Sequence, residues 1–401
     1  MDGTAVEKDA LAASGRRRAL ALPEVLKRVW LPFLLSRLIV FILFAVTPII
    51  AAVPIAQWNS DDGTAVRLSR AAMADGISRV AIGNDSGWYL GIARDGYEKR
   101  PFDTSRQANW AFFPLHPMLW RAAAAVTGEW TWSGVIIANG LFLGALCALW
   151  QLALELTERR ETADAAVTFA SVWPTTYFMS LPHTEALFFL LAGLSLLAGT
   201  RRKFGTAGVF GALASATRFN GLFLIPALGM AWLRSERRRR DLAWIGVATA
   251  GALLYAGYLG SITGNPLAFK DIQVTWGRHV AAPWTALADY IGHPAKLAVS
   301  WNPRALNFLV AIAGIASIVT CWRKGWRDLA MFTGLTLLAP LCTGTLTSLT
   351  RYAGVAPGVF LALAVWSEDK PRVAQVLTML SSVALAFMVI LFALGINMAG
   401  A

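Results

Sequence analysis

Long apolar runs interrupted by short basic clusters constrain this chain more than any other feature. Trp30 to Ala52, Ser133 to Leu156, Leu242 to Ile262, Arg304 to Trp322, Leu329 to Leu349 and Val373 to Ile396 are apolar over about 20 residues each, the length a helix needs to cross a bilayer, and Ala353 to Trp366 reads as a shorter span. Only 15% of the 401 residues are charged, and the mean hydropathy is +0.52. Soluble domains carry roughly 25% charged residues. The pattern therefore predicts an all-α polytopic membrane protein. A net charge of +12 would point to nucleic acid in a soluble protein. Here Lys and Arg form punctuation between apolar runs rather than a stripe, so nucleic-acid binding is excluded. Placing Arg16–Arg18, Arg159–Arg160, Arg201–Lys203, Arg234–Arg240, Arg323–Arg327 and Lys370–Arg372 on the cytosolic side makes the spans alternate, with about eleven crossings.

This reading divides the chain into a basic cytosolic tail, 1–28, and one transmembrane domain, 29–401, with external loops near 57–130 and 263–303. No signal-peptide cleavage site is evident. Cys147, Cys321 and Cys342 lie in or beside apolar runs without metal-ligand spacing and read as packing residues. Val66 to Ile82 predicts a helix lying on the membrane, and Phe112 to Val126 an interfacial or re-entrant segment. Thr162–Leu181 and Thr184–Thr200 predict a hairpin of spans around Pro182-His183. Phe204 to Leu233 predicts two short helices meeting at Arg218-Phe219-Asn220-Gly221. Arg37, inside the first span, is either snorkelling or ion-paired. The Ala- and Arg-rich composition points to a bacterial plasma (inner) membrane.

The same alternation gathers the unusual polar residues on the external face. Asn84 to Arg121 mixes carboxylates, aromatics and prolines between spans. Asp85 has two readings: a general base that takes a proton from an attacking hydroxyl, or a helix N-cap. Asp95, before Gly96-Tyr97, reads as a turn residue. Glu185, two residues after His183, either binds a substrate hydroxyl or caps the next helix. Arg218, alone at a helix break, suits a phosphate or carboxylate, or else pairs with a nearby acid. Gln273-Val274-Thr275-Trp276-Gly277-Arg278-His279 offers phosphate contacts at Arg278 and His279 and a stacking surface at Trp276. Arg351-Tyr352 offers a further phosphate contact. Trp88 and His116 complete the candidate set, with an interface role open for His116. No zinc, nucleotide-sugar or ATP motif is present.

Taken in order, these motifs resemble the PIG-V-like mannosyltransferases. The resemblance rests on Asn84-Asp85-Ser86-Gly87-Trp88-Tyr89-Leu90, Phe112-Phe113-Pro114-Leu115-His116-Pro117, Thr217-Arg218-Phe219-Asn220-Gly221, Asn265-Pro266-Leu267-Ala268-Phe269 through Arg278, and Ser348-Leu349-Thr350-Arg351-Tyr352. It covers roughly residues 30 to 370. It implies a GT-C fold with external interfacial helices. It also implies a polyprenyl-phosphate mannose donor and inverting transfer to a glycan, lipid or protein acceptor on the external side. Asp85 would be the base, with the donor phosphate near Arg218, Arg278 or Arg351. Membrane lipid surrounds such an enzyme. No cofactor is required, though a divalent metal at Asp85 and Glu185 is open. In that family an aromatic residue precedes the acid, where this chain has Asn84. Two rival readings are a GT-C transferase of another polyprenyl-phosphate sugar and a lipid-linked sugar flippase or transporter. Transporters place polar residues at the bilayer midplane and often show paired halves, and this sequence has neither pattern.

Overall fold

A computed structural model describes residues 21–52, 69–298 and 303–396. The described chain is helical, without strands. Most of the expected cytosolic tail, the start of the first expected external loop with Val66, and part of the second expected external loop lie outside the described residues.

The first helix, α1, runs Leu22–Ala51, with Pro23 in its first turn, where a missing N–H costs nothing. Helix α2 (Arg70–Ile82) is capped by Ser69, whose hydroxyl accepts from the Ala72 N–H at 3.1 Å. It packs directly on α1: a Cβ at Gly76 would lie 3.0 Å from the Ala45 carbonyl. Helix α3 (Asp85–Asp95) follows at once, and α4 (Leu115–Thr127) occupies the predicted interfacial segment, ending at left-handed Gly128. Helix α5 (Thr131–Thr157) is full-length.

The next expected span does not form. Helix α6 (Arg160–Ser171) is only 12 residues long. Pro174 has no N–H to continue the ladder, and it pushes Trp173 out of the helical region. The chain then makes a 3-10 turn over Thr176–Ser180 before α7 (Thr184–Thr200). The predicted break at Arg218 is present: α8 (Phe204–Ser215) and α9 (Leu224–Leu233) flank a 3-10 turn, Phe219–Phe223. A Cβ at Gly221 would lie 2.2 Å from the Ser215 nitrogen, so the turn folds against α8 only with glycine there.

Helices α10 (Arg239–Val247) and α11 (Ala250–Thr263) meet at a 44° bend. Short helices α12 (Ala268–Asp271) and α13 (Thr285–Gly292) lie in the second loop. Helices α14 (Arg304–Arg323), α15 (Arg327–Leu341), α16 (Leu349–Ala353), α17 (Pro357–Trp366) and α18 (Pro371–Ala393) complete the fold.

Among the described residues four helices are long and apolar enough to cross a membrane, or five if the bent pair counts as one span. The expectation of about eleven crossings is not reached by that measure; several expected spans are short apolar helices instead. The span-length helices expose apolar stripes at helical spacing, such as Val376, Met379, Leu380, Val383 and Phe387 on α18, as lipid contact requires. Helix α7 is buried along almost its whole length, inside a core built with α5, α6, α15 and α17.

Arg37 fits neither of its expected roles. It is 4% exposed and donates to the Ser171 and Thr176 carbonyls and the Ser180 hydroxyl, at 3.2, 3.0 and 2.6 Å. It ties down the segment that failed to become a helix, satisfying the Ser171 carbonyl at the end of α6 and the Thr176 carbonyl of the 3-10 turn.

Candidate active site

The site is assembled where four widely separated segments meet. Asp85 is the first residue of α3 and Glu185 the second of α7, so both carboxylates sit at helix N-termini, where the backbone dipole favours negative charge. Asp85 is therefore not the N-cap; that position belongs to Asn84, whose side chain caps nothing. Asn84 has φ 53° and ψ −135°, a sparsely populated conformation that turns the chain sharply between α2 and α3. Ser348, before α16, has φ 65°. Both left-handed residues immediately precede site helices.

Arg351 is the hub. Its Nε donates to Glu185 Oε1, its Nη1 to Asp85 Oδ2 at 2.7 Å, and its Nη2 to His183 Nδ1 at 3.1 Å. The guanidinium carbon lies 4.3 Å from the centre of the Phe178 ring. Arg218 Nη1 also donates to Glu185 Oε1, and its guanidinium lies 5.4 Å from the Tyr352 ring centre. Glu185 is 1% exposed, Arg351 11% and Asp85 40%, so the network opens outward at Asp85. A guanidinium cannot accept a hydrogen bond, so His183 Nδ1 is the acceptor and the ring proton lies on Nε2. Burial raises the pKa of Asp85, but the adjacent Arg351 outweighs it and holds the carboxyl below the ordinary carboxylate range.

Tyr89 joins this network to an aromatic shelf. Its hydroxyl lies 3.3 Å from Thr184 Oγ1, and its ring packs edge-on against Phe112 and His116 at 5.1 and 5.4 Å. Phe112 stacks on Trp88 at 5.6 Å, and Trp276 meets both edge-on at 6.1 Å. Ser86 Oγ, both nitrogens of His116, His183 Nε2, Glu185 Oε2 and Tyr177 Oη are buried without a hydrogen-bond partner.

The structure thus unites Asp85, His183, Glu185, Arg218, Arg351 and Tyr352, with His116 buried behind Tyr89. Trp88 and Trp276 lie on the shelf. Gln273 and Arg278 form an exposed pair at 2.6 Å beside it. His279 lies apart from the network, against Gly344, where an added Cβ would come 2.5 Å from its Nε2. Tyr89, Phe112 and Phe178 were missed by sequence reasoning. Tyr89 was readable, since it lies one helical turn after Asp85; Phe178 was not.

The Arg351 guanidinium sits between the two carboxylates proposed as metal ligands, and both are hydrogen-bonded to it. Among the described residues no group of three or more His, Cys, Asp or Glu side chains converges. A divalent ion does not fit between Asp85 and Glu185 in this arrangement.

No protein-family model and no curated protein matches the sequence. Several solved structures show a partial likeness to this chain. The oligosaccharyltransferase of Archaeoglobus fulgidus, in a complex with zinc and sulfate, is 14% identical, with a TM-score of 0.48; the match covers 90% of this chain and 53% of that one. The same enzyme tethered to an acceptor peptide gives 12% identity and a TM-score of 0.46, with 90% and 55% covered. The archaeal oligosaccharyltransferase AglB from A. fulgidus with an inhibitory peptide and a dolichol-phosphate gives 13% and 0.46, with 90% and 56% covered. This chain spans little more than half the length of these structures.

Proposed function

We propose that this protein is an inverting membrane glycosyltransferase of the GT-C kind, moving a sugar from a polyprenyl-phosphate donor to an acceptor hydroxyl. Mannose is the sugar the motif resemblance favours. The observation that carries this reading is the network joining Asp85, His183, Glu185, Arg218 and Arg351, drawn from the resembling motifs and the α7 N-terminus and most open to the outside at Asp85.

Asp85 takes the proton of the acceptor hydroxyl as that oxygen bonds to the anomeric carbon. The bond from that carbon to the phosphate oxygen breaks on the opposite face, and its electron pair leaves with the phosphate. A carboxylate held below its usual pKa is a weak base. It acts late, once the new C–O bond has made the hydroxyl proton acidic.

The two buried arginines divide the remaining roles. Arg351 commits Nε, Nη1 and Nη2 to Glu185, Asp85 and His183, so it positions the base rather than gripping the donor. Among the described residues Arg218 donates only from Nη1, and it is 15% exposed, leaving Nε and Nη2 for an incoming phosphate. Exposed Arg278 is the second candidate donor to that phosphate, whose developing charge both would stabilise.

The test is transfer of radiolabel from polyprenyl-phosphate mannose into a new product by purified protein, with Asp85→Asn alongside. Asn keeps the size and one acceptor oxygen but cannot take the proton. We expect a folded protein that binds donor and transfers about 100- to 10,000-fold more slowly. Transfer by Asp85→Asn within a few-fold of wild type would remove Asp85 from the mechanism. Donor that is relocated across vesicles but never consumed would replace the transferase reading with a flippase.

A further inference from the structure

Helices α8 and α10 lie side by side and parallel. A Cβ at Gly205 would lie 3.6 Å from the Trp244 ring, and one at Gly211 would lie 2.7 Å from the Ala248 Cβ. The two contacts ascend together along both helices, so the helices begin at the same end. Arg202 and Lys203 stand just before α8, and Arg239 and Arg240 open α10. That register puts the two pairs beside each other. This end is remote from the buried network, because the 17 residues of α7 separate Arg202 from Glu185 by about 25 Å. We propose that these four cations bind the phosphate headgroup of an anionic phospholipid, whose acyl chain lies along the apolar faces of α8 and of the bent pair α10 and α11.

The four cations are uncompensated. Among the described residues all four are exposed and their side chains pair with no acid. Their neighbours are neutralised instead: Arg201 by Glu155 at 2.9 Å, Arg234 by Asp328 at 2.7 Å, and Arg238 by Glu236. Asp241, in the first turn of α10, is one carboxylate against the four. Like charges held side by side repel, and a bound anion relieves them. Arg202 carries a second cost. It follows the end of α7 with φ 57°, in the left-handed region that helix ends usually give to glycine. The turn before α15 does use glycine there, with Gly325 at φ 80°. At Arg202 the chain accepts the strain and keeps the cation.

The surface beyond the charges selects the ligand. Trp244, packed against α8 at Gly205, is still 45% exposed. Tryptophan concentrates at the depth of lipid headgroups, apolar body inward and N–H toward water. Farther along the same helices Val209 and Leu213 on α8, and Leu253 and Leu254 on α11, are exposed too. A soluble anion would use the four cations and leave this apolar surface bare. An acidic peptide would do the same. A phospholipid with an anionic head covers both, and basic clusters between helix ends at the membrane surface recognise such heads.

The experiment is native mass spectrometry of the full chain released from detergent micelles. The probes are dioleoylphosphatidylglycerol, dioleoylphosphatidylcholine, inorganic phosphate and hexaglutamate. Phosphatidylglycerol should bind saturably, and phosphatidylcholine about tenfold or more weakly. Each cation beside an anionic headgroup is worth about fivefold in affinity, so Arg202→Gln with Lys203→Gln should weaken phosphatidylglycerol about 25-fold. Arg239→Gln with Arg240→Gln should do the same, and neither pair should change phosphatidylcholine. Arg323→Gln with Lys324→Gln removes as much charge from the turn between α14 and α15, and should cost less than about twofold. Circular dichroism checks the fold. Arg202→Gln and Arg239→Gln alone, each about fivefold weaker, replace a pair that misfolds. An equal loss from the Arg323 and Lys324 pair would reduce the effect to general attraction and overturn the proposal. So would equal affinity for the two lipids, or displacement of phosphatidylglycerol by comparable concentrations of inorganic phosphate or hexaglutamate. These readouts need neither donor nor turnover, so they stand or fall independently of the proposed function.

Discussion

Ion pairs at the site differ in kind from those on the turns where α5 meets α6 and α17 meets α18. On those turns Arg159 pairs with Glu368 and Asp369, and between α1 and α6 Arg28 pairs with Asp164, with side chains 22% to 75% exposed. At the site Glu185 and two arginines lie 1% to 15% exposed, and one carboxylate oxygen accepts from both guanidinia. Exposed pairs are screened and contribute roughly 0–1 kcal/mol each. Charges taken out of water cost several kcal/mol per ion, recovered only through good geometry. The exposed pairs stitch turns together. The buried network is an arrangement that stability alone would not select, and it leaves Glu185 Oε2 and His183 Nε2 without partners.

Three substitutions probe this difference. Glu185→Gln should have the largest effect, because it leaves Arg218 and Arg351 with only Asp85 to balance them. We expect a loss of about 3–5 kcal/mol in unfolding free energy, as for a broken buried pair. A loss below 1 kcal/mol in chemical denaturation would place the network on a par with the surface pairs.

Arg351→Gln probes the hub. The acid limb of the wild-type pH–rate profile should lie below about pH 3.9, the ordinary Asp value, because Arg351 lowers the pKa of Asp85. Without that cation burial dominates, and the limb moves to higher pH. A depressed carboxylate pKa favours the charged, folded form above the unfolded value, and that advantage disappears as pH falls through the folded value. An unmoved acid limb would separate Arg351 from the base.

Arg159→Ala is the smallest. It should cost under about 1 kcal/mol and leave transfer unchanged. A larger loss, read from the same denaturation experiment, would show that the turn between α5 and α6 matters beyond its charges.

Much of the site was readable from the chain. Asp85, Glu185, Arg218 and Arg351 stand out because a charge flanked by apolar runs needs a reason to be there. The break at Arg218 was also readable, since Asn220-Gly221 interrupts an otherwise apolar stretch. Their pairing was not. Arg218 and Glu185 are 33 residues apart, and Arg351 and Asp85 are 266 apart. Spacing along a sequence carries no distance of that range. The expected span at Thr162–Leu181 failed because a hydropathy average does not register that Pro174 ends a helix whatever its neighbours' polarity.

What the sequence alone determined is the class of the protein and the cast of its site. Composition forces helices in lipid, because only internally satisfied backbone survives there, and isolated charges name the candidates. Tertiary structure decided the partners. It committed three Arg351 nitrogens to Glu185, Asp85 and His183, where the sequence had offered Arg351 as a phosphate contact. It left Arg218 with donors to offer and buried His183 and His116 away from the surface. A hydrogen bond depends on atoms meeting within about 3 Å, and that condition exists only once the chain has folded.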